Sequence, residues 1–199
     1  MKNRLHVILG LISLTLFILM QCVSFSTYQT PETLAPGESA FGGGVAGVVA
    51  DGSPGFGGVE LYGRHGLGPN VDGGMKLGGM PGLYYFLMAD VKYQFTGVPP
   101  IVSADLGLSV SAGSGRTTTL AWYPMILVGT SRLYGGVKTI LIRGTFEGEA
   151  FTVDHPLTGI VLGTRFGQKF RLLPELDVYF SRQSSPLIFA GIGLQFNFH

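Results

Sequence analysis

The 199-residue sequence contains little charge and a single cysteine. Charged residues make up 13% of the chain, about half the share found in ordinary soluble domains. The single cysteine, Cys22, excludes an internal disulfide. A net charge of +1 gives no electrostatic attraction for nucleic acid. These shortages argue against a disordered chain, an ordinary soluble enzyme and a nucleic-acid-binding domain, and the length predicts one domain.

The first 21 residues have the pattern of an export signal. Lys2 and Arg4 give a basic start, and an apolar run follows from Leu5 to Met20. That run is short for a membrane-spanning helix, which needs roughly 20 residues. Residues 1–21 are therefore predicted to be a signal peptide, with an uncleaved anchor as the alternative.

Cys22 directly follows the apolar run. Its position resembles that of the lipid-acceptor cysteine of bacterial lipoproteins, in which residues 19–21 would form the lipobox. Gln21 departs from the small residue that this family has there. The resemblance makes Cys22 a lipidation candidate, with ordinary cleavage near this point as the alternative. Residues 22–39 are rich in Ser, Thr, Pro and Gly without periodicity, and are predicted to be a linker.

From residue 40 onward, apolar residues recur at every second position, and no window of eleven or more residues shows a convincing helical period. In residues 83–95, alternate positions from Leu83 form an apolar face, whereas Asp90, Lys92 and Gln94 lie on the other face. Because a strand places alternate side chains on opposite faces, the pattern predicts a strand. The same alternation recurs in residues 102–111, 170–181 and 188–198.

Weaker alternation completes a set of about ten predicted strands, with eight or twelve as alternatives. The weaker segments are residues 40–50, 59–64, 71–77, 117–129, 133–141 and 160–166. Pro174 lacks a backbone donor, so a local fault in strand pairing is predicted there. The longest connection is predicted over residues 144–156, on the cell-exterior side, with shorter turns on the opposite side.

A soluble β-sandwich or a lipocalin-like barrel shows the same alternation, but three features favour a membrane barrel. The strands are about 9 to 13 residues long, as a tilted transmembrane strand requires. Few charges remain outside the strands for a soluble surface. Aromatic residues lie near strand ends, as in the girdles of membrane barrels: Tyr85, Tyr93, Phe95, Trp122, Phe170, Phe180 and Phe198. Lipid cannot satisfy open strand edges, so residues 40–199 are predicted to be a closed antiparallel up-and-down transmembrane β-barrel.

The last strand carries a family resemblance. Its sequence from Gly191 to Phe198, GIGLQFNF, resembles the C-terminal strand of bacterial outer-membrane β-barrels, which usually ends on an aromatic residue. His199 is a small departure from that pattern. The resemblance implies a location in the outer membrane, contact with its lipid, and recognition by the barrel assembly machinery. It does not indicate a function, a ligand or an oligomeric state.

The polar face carries six positive and six negative residues, which are expected to face the lumen. They are Arg64, Lys76, Lys92, Lys138, Arg165 and Arg171, and Glu60, Asp72, Asp90, Asp105, Glu175 and Asp177. Paired charges are tolerated where an isolated charge is costly, and a barrel of eight to ten strands has little interior space. The set therefore predicts a charge network that fills the lumen. The alternative is a narrow, weakly selective channel.

Residues suited to catalysis are sparse. Asp154, His155, Ser184 and Ser185 lie in predicted outer loops, but their spacing does not show a base within reach of a nucleophile. Isolated histidines are poor evidence for a metal site. We therefore predict a non-enzymatic barrel with a largely plugged lumen, no cofactor, and a structural or envelope-associated role. The alternatives are a narrow channel and a lipid-anchored periplasmic barrel that binds an apolar ligand.

Overall fold

The computed structural model describes residues 24–50, 52–80, 84–113, 117–146, 149–152, 156–180 and 185–198. The predicted signal peptide and Cys22 lie outside these residues. Within them, no helix is long and apolar enough to cross a membrane. The described strands are β1 Ser39–Ala50, β2 Ser53–Gly68, β3 Val71–Met80, β4 Tyr84–Gln94, β5 Ile101–Gly113, β6 Thr117–Gly129, β7 Leu133–Phe146, β8 Glu149–Thr152, β9 Leu157–Thr164, β10 Phe170–Phe180 and β11 Leu187–Phe198.

The strands pair antiparallel and close into a ring. Consecutive strands are neighbours, and the β1–β11 and β6–β7 pairings complete the circle. Both the short β8 and the longer β9 pair with β7. The last four residues of β7 pair with β8, and the first eight residues of β7 pair with β9. Since β8 and β9 share one place in the ring, the barrel has ten strand positions, which confirms the predicted architecture.

The alternation of the sequence determines which side chains face outward. In β5, Leu106, Leu108 and Val110 are exposed on the outside, whereas Ser103 and Ser109 are buried inside. The other strands for which burial is described mostly alternate in the same way, except at the start of β2, where residues 53–56 are all exposed. The outer surface is apolar, as a lipid bilayer requires, and the interior contains buried charges together with a cluster of apolar side chains. The apolar face encloses nothing, so the predicted alternative of a soluble barrel around an apolar ligand is wrong.

Aromatic side chains mark both ends of the barrel. We call the end where β1 begins and β11 ends the lower mouth, and the opposite end the upper mouth. Near the lower mouth, Tyr93 packs edge-on against Phe95, and Phe170 packs against Phe196. Near the upper mouth, the Arg143 guanidinium lies 5.9 Å from the centre of the Trp122 ring. Such girdles are typical of the two membrane interfaces.

Proline interrupts the strand ladders. The β9–β10 pairing ends at Glu175 and resumes at an isolated Phe166–Leu172 bridge in the same register, so the gap spans Pro174. This confirms the predicted fault. The β6–β7 pairing has a similar gap at Pro124, between Trp122 and Met125. A missing backbone donor explains both gaps.

One expectation about the connections is wrong. Residues 144–156 do not form a long outer loop, because β7 continues to Phe146 and β8 pairs back onto it. The upper connections include residues 51–52 and 114–116, whereas a lower connection spans residues 95–100. The strand bounds therefore do not show the expected contrast between long outer loops and short inner turns.

Candidate functional site

Residues 24–34, here called the N-terminal segment, lie inside the barrel. The segment enters at the lower mouth, where the Gly37 N–H donates to the Gly66 carbonyl and the Gly66 N–H donates to Glu38. From there it rises to Phe25, and residues 24–31 are all buried. The composition predicted a solvated linker here. These residues form no strand, but they are enclosed by the barrel wall instead of exposed.

Three wall lysines hold the carbonyl groups of the N-terminal segment. The Lys138 ammonium donates to the carbonyls of residues 24, 25 and 26, at 3.0, 3.2 and 3.3 Å. Lys76 donates to the Ser26 carbonyl at 2.9 Å. Lys92 donates to the carbonyls of Thr30 and Glu32 at 2.9 and 2.8 Å. Each lysine therefore satisfies main-chain acceptors that a dry interior would leave unpaired.

Wall side chains with acceptor oxygens hold the N–H groups of the same segment. The Glu175 carboxylate accepts from the N–H groups of both Thr27 and Tyr28. Tyr28 has a left-handed backbone conformation, with a φ of 48°. Nearer the lower mouth, Asp72 accepts from the Leu34 N–H at 3.0 Å. The wall thus binds both the carbonyl groups and the N–H groups of the segment's main chain.

The Tyr28 ring occupies a recess made by wall glycines. A Cβ atom built on Gly44, Gly191 or Gly193 would lie within 3.0 Å of this ring. The Tyr28 hydroxyl donates to the Val45 carbonyl at 2.8 Å, and the side chain is 1% exposed. Glycine is therefore required opposite the ring, because any larger residue would occupy the same space.

Phe25 anchors the upper part of the segment in an aromatic cluster. Its ring stacks on Phe189 at 4.3 Å between centroids and meets Tyr179 edge-on at 5.1 Å. The Tyr179 hydroxyl donates to the Phe25 carbonyl at 2.6 Å. Such aromatic contacts add to the free energy gained by burial, so Phe25 is held by packing as well as by a hydrogen bond.

The predicted lumen charges form two groups. The lower cluster contains Arg64, Asp72, Asp90, Lys92 and Asp105. In it, Arg64 contacts both Asp72 and Asp90, the latter at 2.6 Å, and Lys92 lies 3.4 Å from Asp72. The upper cluster contains Glu60, Lys76, Lys138, Glu175 and Asp177, with Lys76 and Glu60 3.0 Å apart.

Arg165 and Arg171 belong to neither cluster. Arg165 pairs with Glu32 at the lower mouth, and Arg171 donates to the Gln168 carbonyl. The enclosed clusters therefore contain four of the predicted cations and all six predicted anions, instead of the expected balance. Neither carboxylate oxygen of Asp105 meets a donor among the described residues. No group of three or more His, Cys, Asp or Glu in the described ranges could hold a metal ion.

Wall tyrosines also pack against glycines on neighbouring strands. A Cβ atom on Gly42 would collide with Tyr62, one on Gly159 with Tyr179, and one on Gly163 with Tyr134. The abundance of glycine in the strands thus matches a narrow interior filled by large side chains.

Of the five remaining sequence candidates, Ser185 alone lies among the described residues. Cys22, Asp154, His155 and Ser184 lie outside the described residues. Ser185 is described and exposed above the upper mouth. What sequence reasoning missed is the N-terminal segment itself. The available signal was Phe25 and Tyr28, two aromatic residues in a stretch that is otherwise polar.

Comparisons with known proteins give matches to solved structures alone. No family model and no curated protein matches the chain. Among solved structures, it resembles the translocator domain of the autotransporter NalP from Neisseria meningitidis, with 12% identity, a TM-score of 0.41, and coverage of 84% of this chain and 91% of that one. It also resembles the N-terminal β-barrel domain of Pseudomonas aeruginosa OprF, with 14% identity, a TM-score of 0.34, and coverage of 83% and 100%. For Ail of Yersinia pestis, the identity is 14%, the TM-score 0.30, and the coverage 82% and 99%.

Proposed function

We propose that this bacterial outer-membrane β-barrel is a closed, non-enzymatic component of the cell envelope, whose lumen is sealed by its own N-terminal segment. The observation that carries the proposal is the burial of residues 24–31 inside the ring of strands. A barrel of ten strands encloses little space, and here that space contains both a polypeptide and the side chains around it.

Contacts of the N-terminal segment are spread along the lumen. Phe25 and its aromatic partners fill the upper part, Tyr28 fills the glycine recess, and the lower cluster surrounds the segment near Leu34. Many main-chain groups of the segment are bonded to wall groups, as is usual for buried polar groups. This distribution of contacts supports a structural role more than a conducting one.

The decisive experiment is conductance of the purified barrel in planar bilayers. We expect the intact protein to show almost none, and a variant that lacks residues 24–34 to conduct, because the lumen would then be empty of polypeptide. Heat-modifiability on a gel, boiled against unboiled, checks that both proteins contain a folded barrel. High steady conductance of the intact protein would rule out the closed barrel.

A narrow channel is the second candidate, and one observation favours it. In the described part of the chain, the N-terminal segment joins the barrel covalently at its lower end only, through residues 35–38. A segment held otherwise by noncovalent contacts can leave the lumen without unfolding the wall. Rare, brief openings of the intact protein would identify this behaviour.

The envelope environment supplies the remaining proposed partners. Outer-membrane lipid would cover the apolar band, and the barrel assembly machinery would recognise β11 during biogenesis. Lipidation of Cys22 stays a prediction.

A further inference from the structure

The wall recognises the main chain of the N-terminal segment more than its side chains. Lys138 and Lys92 bind carbonyl groups, and Glu175 and Asp72 bind N–H groups. Every amino acid except proline presents the same two groups. Charge-assisted hydrogen bonds of this kind are also stronger than neutral ones. The lumen wall can therefore bind the main chain of polypeptides that differ in sequence.

Side-chain recognition is concentrated at two places. Tyr28 fits the recess made by Gly44, Gly191 and Gly193, and Phe25 enters the aromatic cluster around Phe189. The positions between them are small and polar, and the Ser26 hydroxyl donates to the wall carboxylate of Glu60. A ligand for this lumen would thus carry two aromatic residues three positions apart, separated by small side chains.

The geometry points to a peptide-binding site: the lumen binds a polypeptide segment with aromatic residues at positions i and i+3, and the protein's own N-terminal segment is an exchangeable occupant of it. A second chain that enters from the lower mouth with this pattern can take its place. The inference rests on the proposed closure of the lumen by the segment, and it adds the class of ligand that the site accepts.

The test cuts the covalent link between the segment and the barrel without deleting the segment. A site for a specific protease is inserted between Pro36 and Gly37, which are exposed at the lower mouth. The full chain is folded in detergent, cut, and incubated with a fluorescent synthetic peptide of residues 24–36. We expect the cut fragment to stay with the barrel through gel filtration, and the peptide to exchange into the cut barrel but not into the uncut one.

Main-chain recognition is tested by ester substitution in the peptide. Replacing the amide N–H of Tyr28 by an ester oxygen removes a donor to Glu175 and keeps every side chain. We expect this peptide to bind about tenfold more weakly, as the loss of one hydrogen bond to a charged group predicts. The same substitution at Gln29 is the control, because its N–H bonds to no wall group in the described part of the barrel. A Tyr28→Ala peptide should also bind at least tenfold more weakly.

A measurement on the uncut chain covers the case in which the insertion prevents folding. In Glu175→Gln, hydrogen exchange at the amides of Thr27 and Tyr28 should become at least tenfold faster, whereas the amide of Leu34, held by Asp72, should stay protected. Failure of the peptide to enter a folded, cut barrel overturns the inference, as does equal binding of the two esters or unchanged exchange in Glu175→Gln. None of these results bears on the conductance of the intact barrel, so the proposed closure succeeds or fails separately.

Discussion

The lower and upper clusters of the lumen stabilise buried charge in different ways. In the lower cluster, wall residues neutralise one another, since Arg64 contacts Asp72 and Asp90, and Lys92 contacts Asp72. These ion pairs join wall residues to one another. Lys92 and Asp72 also bond to the main chain of the segment, but the ion pairs themselves do not depend on it.

In the upper cluster, much of the compensation comes from the segment. Lys138 donates its hydrogen bonds to three main-chain carbonyls of the segment, and Glu175 accepts from two of its N–H groups. Without the segment, these buried groups would lose partners. The difference shows that one lumen combines an ion network paired mainly within the wall with a network that takes many of its partners from the segment.

The largest effect is expected in the lower cluster, for Asp72→Asn. This carboxylate contacts Arg64, Lys92 and the Leu34 N–H, so its removal leaves two buried cations short of a partner. Breaking buried pairs of this kind costs about 3 to 5 kcal/mol. We expect that loss in the free energy of unfolding, measured by urea titration with the heat-modifiability gel.

The control for this prediction is Asp105→Asn in the same cluster. Asp105 forms no salt bridge among the described residues, so this change should cost much less than Asp72→Asn. Equal losses for the two variants would contradict the assignment of Asp72 as the shared partner. The cost of Asp72→Asn should also remain when residues 24–34 are deleted, apart from the part that Leu34 contributes.

An intermediate effect that depends on the segment is expected in the upper cluster, for Lys138→Met. In the intact chain, the change leaves three carbonyls without this donor, and a cost of about 1.5 to 3 kcal/mol follows. In a chain without residues 24–34, water reaches the lumen and these carbonyls are gone, so the same change should cost much less. Urea titrations of the four proteins in this cycle measure both costs, and a cost of the same size in both backgrounds would show that the lysine acts through the wall alone.

The smallest effect is expected between the clusters, for Gly44→Ala. The added methyl group would meet the Tyr28 ring at less than 3.0 Å, and overpacking of this kind costs about 1 to 3 kcal/mol. Gly47→Ala is the matched control on the same strand, because its nearest neighbour would lie at an ordinary 3.5 Å. We expect lumen opening, seen as conductance, to increase for Gly44→Ala only. Similar conductance in the two variants would contradict the recess.

The barrel was predictable because period two is a local signal. Residues 102–111 alternate without exception, and β5 follows them closely. Even β6, whose two faces are both apolar, begins at Thr117 and ends at Gly129 as expected. The hairpin of β7 and β8 was missed, since glycines at positions 144 and 148 resemble those of a loop.

The N-terminal segment was not predictable in the same way. Its main chain forms no ladder, so no periodic pattern marks it, and its Ser, Thr and Pro content is typical of a linker. Its position is determined by distant wall residues, such as Glu175, which lies 147 residues from Tyr28. The inward direction of the wall charges could be read from alternation, but their partners on the segment could not.

The enclosure of the segment restricts the order of folding. The ring is closed by the pairing of β1 with β11, so it cannot close before the last strand is in place. By then, residues 24–34 are already attached to the start of β1, and they must either lie within the open sheet as it curves or be threaded upward afterwards. The first route requires no passage through a finished ring. On this route the segment would already lie inside the curved sheet when β11 pairs with β1, and the wall would close around it.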